Sequence, residues 1–136
     1  MVSQRKDQSQ RQQSIVLVVD DNAAIRDMVS WALELDGFEP AEAAEGQEAL
    51  AWMDNAARDG RYPAVILLDL SMPGMNGDAF LERLQTQWEN ARPMPAIVLI
   101  TASQNAPQLP RTHVKQVIIK PFHVRDLLNV VRDLTT

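Results

Sequence analysis

Three short segments of this chain are apolar without interruption: Ile15-Val16-Leu17-Val18-Val19, Ala64-Val65-Ile66-Leu67-Leu68 and Ala96-Ile97-Val98-Leu99-Ile100. A strand with one solvated face alternates apolar and polar residues. An unbroken β-branched run instead suits a strand covered on both faces, the usual state of a parallel strand in an α/β sheet. Parallel neighbours need crossover connections, and helical patterns lie between the runs. Ile25, Met28, Val29, Ala32 and Leu33 form a stripe that reads as one buried helix face, with Asp21 or Asn22 able to cap its start and Gly37 to end it. Residues 38–44 read as a short strand, and 47–57 as a helix turning Ala49, Leu50 and Met53 inward. A helix over 77–90 carries Phe80, Leu81, Leu84 and Trp88, a short strand covers 117–119, and a helix over 124–134 aligns Leu127, Leu128, Val131 and Leu134. With right-handed crossovers this repeat gives an open parallel sheet with helices on both faces. Pro40 cannot donate to a sheet ladder, so its strand belongs at an edge. The flavodoxin-like order 2-1-3-4-5 places it there.

One stretch breaks the rhythm. Between Thr101 and Val114 there is no apolar periodicity, and Pro107 and Pro110 would each cost about 3 kcal/mol inside a helix. The fourth helix is expected to be short or absent. Residues 1–14 are polar and aperiodic and read as a disordered tail, leaving 15–136 as a single domain. The chain has no cysteine, which removes disulfides and thiolate metal sites and fits a reducing cytoplasm. No apolar run is long enough to span a membrane. A net charge of −5 argues against a general nucleic-acid surface, and Arg111, His113 and Lys115 read as a solvated loop or strand edge. Trp31, Trp52 and Trp88 are expected to pack against the core.

In open parallel sheets, ligands bind beyond the carboxyl ends of the strands. Few polar residues stand there: Asp20 and Asp21 after the first strand, Asp69 after the third, Thr101 after the fourth and Lys120 after the fifth. Asp20 or Asp21 alone would be read as a helix cap, Thr101 alone as a β-branched strand end, and Lys120 alone as a turn residue. Together they form an unbalanced cluster. Two unit charges about 4 Å apart repel by roughly 4 kcal/mol at an effective dielectric near 20, and one ammonium cannot offset three carboxylates. Either a carboxyl holds a proton or a cation binds. Oxygen ligands without His or Cys select Mg²⁺ or a similar ion, which leaves room for phosphate oxygens. A carboxylate beside such an ion can attack phosphorus and form an acyl phosphate, with Lys120 and Thr101 spreading the charge.

Four segments in this order carry a resemblance. Val19-Asp20-Asp21-Asn22, the stretch from Leu67-Leu68-Asp69 through Leu70-Ser71-Met72-Pro73-Gly74-Met75-Asn76-Gly77, Ile100-Thr101-Ala102 and Ile119-Lys120-Pro121-Phe122 resemble the signature segments of response-regulator receiver domains. The resemblance implies Asp69 as phosphoacceptor, Asp20 and Asp21 as the metal-binding pair, the Ser71 carbonyl as a further metal ligand, and Thr101 and Lys120 as phosphate contacts. It also implies a cis Lys120-Pro121 bond, a histidine kinase or histidine phosphotransfer protein as donor, and a downstream protein target. Two departures stand out: Val117 occupies the place of the family's switch aromatic, and prolines break the 103–112 segment. Reordering of that segment is therefore the expected readout. With no output domain after Thr136, the expectation is a stand-alone switch and not an enzyme. The competing readings are a metal-dependent phosphohydrolase using an aspartyl phosphate and a phosphorylation-independent interaction domain. The first wants Asp-x-Asp on the first core strand, where this chain reads Asp69-Leu70-Ser71 on the third; the second usually lacks the acids or the lysine.

Overall fold

The unbroken apolar runs become the three inner strands of a five-stranded parallel sheet. The computed structural model describes residues 14–70, 77–88, 93–102 and 114–136. Along the chain these form β1 (Ile15–Val19), α1 (Ala23–Leu35), β2 (Glu39–Ala43), α2 (Gly46–Arg58), β3 (Pro63–Asp69), α3 (Gly77–Trp88), β4 (Ala96–Thr101), β5 (Val114–Ile119) and α4 (Val124–Thr135). The strand order is β2-β1-β3-β4-β5, with every neighbouring pair parallel. The Pro40 strand lies at an edge, as its missing N–H requires.

Strand alternation divides the core into two halves. Ile15, Leu17 and Val19, with Ile66, Leu68, Ile97 and Leu99, face Ala49, Leu50 and Met53 of α2 and Phe80, Leu84 and Trp88 of α3. Their neighbours Val16, Val18, Val65, Leu67, Val98 and Ile100 face Val29 and Leu33 of α1 and Leu127 and Val131 of α4. Each fully buried Leu or Ile contributes about 1.5–3 kcal/mol relative to exposure. Such double-sided burial is what an all-apolar strand requires.

The helix ends follow local chemistry. The Asn22 side chain accepts the Ile25 N–H at 3.1 Å and starts α1. At its end Gly37 takes φ 92°, letting the Phe38 N–H reach the Leu33 carbonyl at 3.0 Å and its own N–H reach Glu34 at 3.1 Å. Gly60, at φ 71°, closes α2 in the same way. The Arg132 guanidinium grips both Asp36 carboxylate oxygens, at 2.6 and 2.7 Å, and ties α4 to the end of α1.

The structure corrects three expectations. Met28 belongs to the outer face of α1, where it is exposed, and the buried stripe is Val29, Ser30 and Leu33. Trp31 is 66 % exposed instead of packed, and Leu35 lies open with it; Trp88 is buried and Trp52 packs against the core. β5 begins at Val114, before the expected 117, because an edge strand needs no continuous apolar run and tolerates exposed Lys115 and Gln116. The expected tail falls outside the described residues except for Ser14, whose carbonyl accepts the Glu39 N–H at 3.0 Å. The 103–112 segment, with the expected short or absent helix and its loop readout, also lies outside them, as do Arg111 and His113. Among the described residues, no helix is long and apolar enough to cross a membrane.

Candidate functional site

The polar residues that follow the apolar runs stand together at the carboxyl edge of the sheet. The parallel ladder continues past the strand ends and sets their alignment. The Asp20 N–H donates to the Ala43 carbonyl at 3.1 Å, the Leu70 N–H to Ile100 at 2.9 Å, and the Lys120 N–H to Thr101 at 2.8 Å. One carboxylate oxygen from each of Asp20, Asp21 and Asp69 can be chosen so that all three lie within 4.8 Å of one another. The Lys120 Nζ is 3.2 Å from Asp69 Oδ2. Thr101 ends β4 beside them and is buried.

Burial differs among the acids in a way that bears on chemistry. Asp20 and Asp69 are 4 % and 3 % exposed, whereas Asp21 is open to solvent. Burial pushes the Asp20 carboxyl above its ordinary range, and the Asp69 charge and carboxyl contact add to the effect. The Asn22 N–H, donating to Asp20 at 2.9 Å, and the Lys120 charge oppose it. Asp20 thus holds a proton more readily than a free carboxyl, and a cation binding there would compete with that proton. Every side-chain donor in the cluster is a hard carboxylate oxygen, the set that suits a small divalent ion such as Mg²⁺.

The structure therefore brings together Asp20, Asp21, Asp69 and Lys120, with Thr101 on the adjoining strand end. Ser71 lies outside the described residues, and the expected carbonyl ligand with it. The Lys120-Pro121 bond is cis. Sequence reasoning missed Arg26, whose Nη1 donates to the Asp20 backbone carbonyl at 2.8 Å while its Nε lies 3.3 Å from Glu42. It clamps the β1–α1 turn to β2. A basic residue one helical turn beyond the Asn22 cap is the signal that would have suggested it.

The sequence model described as "Response regulator receiver domain" matches residues 16–132. The phosphate regulon transcriptional regulatory protein PhoB of Escherichia coli is 31% identical over 115 residues, covering 83% of this chain and 48% of the relative. The chain thus spans about half the length of the curated relatives it matches. A CheY-like receiver domain from Methanospirillum hungatei superposes with a TM-score of 0.74 at 27% identity, covering 90% of this chain and 93% of its own. The response regulator TrrA of Thermotoga maritima, solved in complex with Mg²⁺-BeF, gives a TM-score of 0.70 at 27% identity, covering 89% and 98%.

Proposed function

The chain belongs to the response-regulator receiver family of two-component signalling, and we propose that Asp69 is its phosphoacceptor, working with Mg²⁺ held by Asp20, Asp21 and Asp69. The observation that carries this reading is the Lys120 ammonium 3.2 Å from a buried Asp69 that lies beside two further carboxylates. An ordinary structural ion pair does not gather two surplus negative charges at its edge.

In this reading an Asp69 carboxylate oxygen attacks the phosphorus of a donor. The bond from phosphorus to the leaving group breaks, the leaving group keeps its electron pair, and an acyl phosphate remains. Lys120 is placed to neutralise the phosphoryl oxygens, and the Thr101 hydroxyl is a second donor on the neighbouring strand end. A bound Mg²⁺ supplies positive charge for the same oxygens and relieves the repulsion among the acids. The acid cluster can hold such an ion, and the Mg²⁺-BeF complex of the T. maritima regulator supports this choice. The Ser71 carbonyl is carried as a further ligand. The donor is a histidine kinase or phosphotransfer protein, the setting is the cytoplasm, and the phosphorylated surface is read by a protein target. The domain is a switch that stores a phosphoryl group.

Incubation with Mg²⁺ and acetyl phosphate, followed by intact mass measurement, tests the proposal. We expect one phosphoryl group per chain, none in the presence of a chelator and none on Asp69→Asn. An Asp69→Asn protein that gains the same mass at the same rate would refute the acceptor.

A further inference from the structure

Beside the phosphoacceptor site lies a pocket of about 470 Å³ lined by Ile25, Met28, Ala102, Lys120, Pro121 and Phe122. Its volume falls in the range of small-molecule sites, roughly 300–1,000 Å³. Among these lining residues the only charge is Lys120, whose ammonium lies 3.2 Å from the Asp69 carboxylate. One side chain thus joins an apolar pocket to the point where phosphoryl transfer would occur.

We propose that this pocket seats the leaving group of a small phosphodonor, and that the preferred donor is an acyl phosphate with an aromatic body. The inference rests on Asp69 as phosphoacceptor. Phosphoryl transfer places the attacking and leaving oxygens roughly in line, so the leaving group stands across phosphorus from Asp69. Lys120 lines both the transfer point and the pocket, so in this proposal the body of the leaving group turns from phosphorus toward Ile25, Met28 and Phe122. Ile25 and Phe122 are themselves partly buried against the core beneath, so this wall is anchored to the fold. A methyl group fills little of 470 Å³, whereas a phenyl ring offers the apolar surface that such walls can cover. The anionic end of the same donor meets the ammonium. In the transfer the Asp69 oxygen–phosphorus bond forms and the phosphorus–oxygen bond to the acyl group breaks. An aromatic carboxylate departs with the electron pair, needing no further reactant. Binding energy from the ring, remote from the reacting atoms, is available to hold the donor for attack.

The test compares benzoyl phosphate with acetyl phosphate on the full chain with Mg²⁺, reading the second-order rate of Asp69 phosphorylation by mass. Burying one apolar ring predicts a benzoyl-to-acetyl rate ratio of about tenfold. In Met28→Gln, a change at an exposed helix position, and in Phe122→Ala, with its folding followed by thermal unfolding, the ratio should fall at least about threefold. Taking the ratio within each variant removes any general loss of reactivity. A wild-type ratio near one, or a ratio that both variants preserve, overturns the pocket assignment while acetyl phosphate labelling still supports the acceptor. Labelling by neither donor overturns the acceptor, and the pocket's role with it.

Discussion

β3 and β5 each deliver one functional group to the same cleft, and they do so from opposite mechanical settings. β3 lies at the centre of the sheet, hydrogen-bonded to β1 on one side and β4 on the other, with nearly every side chain buried up to Asp69. β5 lies at the edge with one ladder partner; Lys115 and Gln116 are exposed, Val117 is half-buried and Ile119 is 45 % exposed. The proposed nucleophile thus stands on a buried central strand and its countercharge on an exposed edge strand. A carboxylate must be held still to attack phosphorus, whereas a lysine that follows a phosphoryl group benefits from a strand able to adjust.

The largest expected effect comes from the β5 side of the chemistry. Lys120→Ala should slow phosphorylation by acetyl phosphate about 10²–10³-fold, the usual loss when one charge-stabilising donor is removed, while the fold persists. A rate within threefold of wild type would mean that the lysine at 3.2 Å is only a structural partner of Asp69.

Stability should divide the other way. Ile66→Ala, at a fully buried position on β3, should cost about 2–5 kcal/mol in urea unfolding. Val117→Ala, half-buried on β5, should cost about 1 kcal/mol. Equal losses would show that the edge strand is as integral to the core as the central one.

The smallest effect sharpens the electrostatic side of the comparison. Burial raises the Asp20 carboxyl above its ordinary value of 3.8, so the native state binds its proton more tightly than the unfolded chain does. Between that value and the raised native one, the contribution of Asp20 to metal-free stability should fall as pH rises, and that contribution is fully present below the window. Asp20→Asn should flatten this dependence and stabilise the chelator-treated protein at neutral pH by on the order of 1 kcal/mol. Thermal unfolding across a pH series checks both points. A variant less stable than wild type at neutral pH would mean that the buried acid is compensated without metal.

Sheet order, both helix faces of the core and the convergence of Asp20, Asp21, Asp69, Thr101 and Lys120 were legible because each rests on local pattern. Apolar runs specify inner strands, Pro40 specifies an edge, and strand ends in such a sheet share one side. α1 misled because it carries two apolar stripes. Ile25, Val29 and Leu33 turn inward, while Ala24, Met28, Trp31 and Leu35 turn outward, and periodicity alone cannot say which stripe meets the sheet. The start of β5 was hidden because an edge strand carries no burial signature. The pocket was invisible for a different reason: its walls come from α1, the end of β4 and the turn after β5, and only folding brings them together.

The most direct test of the central claim is to locate the phosphoryl group. Protein phosphorylated with acetyl phosphate and Mg²⁺ would be reduced with borohydride, which converts an aspartyl phosphate to homoserine, then digested and mapped by tandem mass spectrometry. We predict homoserine at position 69 alone, and its loss when a chelator replaces Mg²⁺. Conversion at Asp20 or Asp21, or undiminished conversion at Asp69 without a divalent ion, would contradict the account.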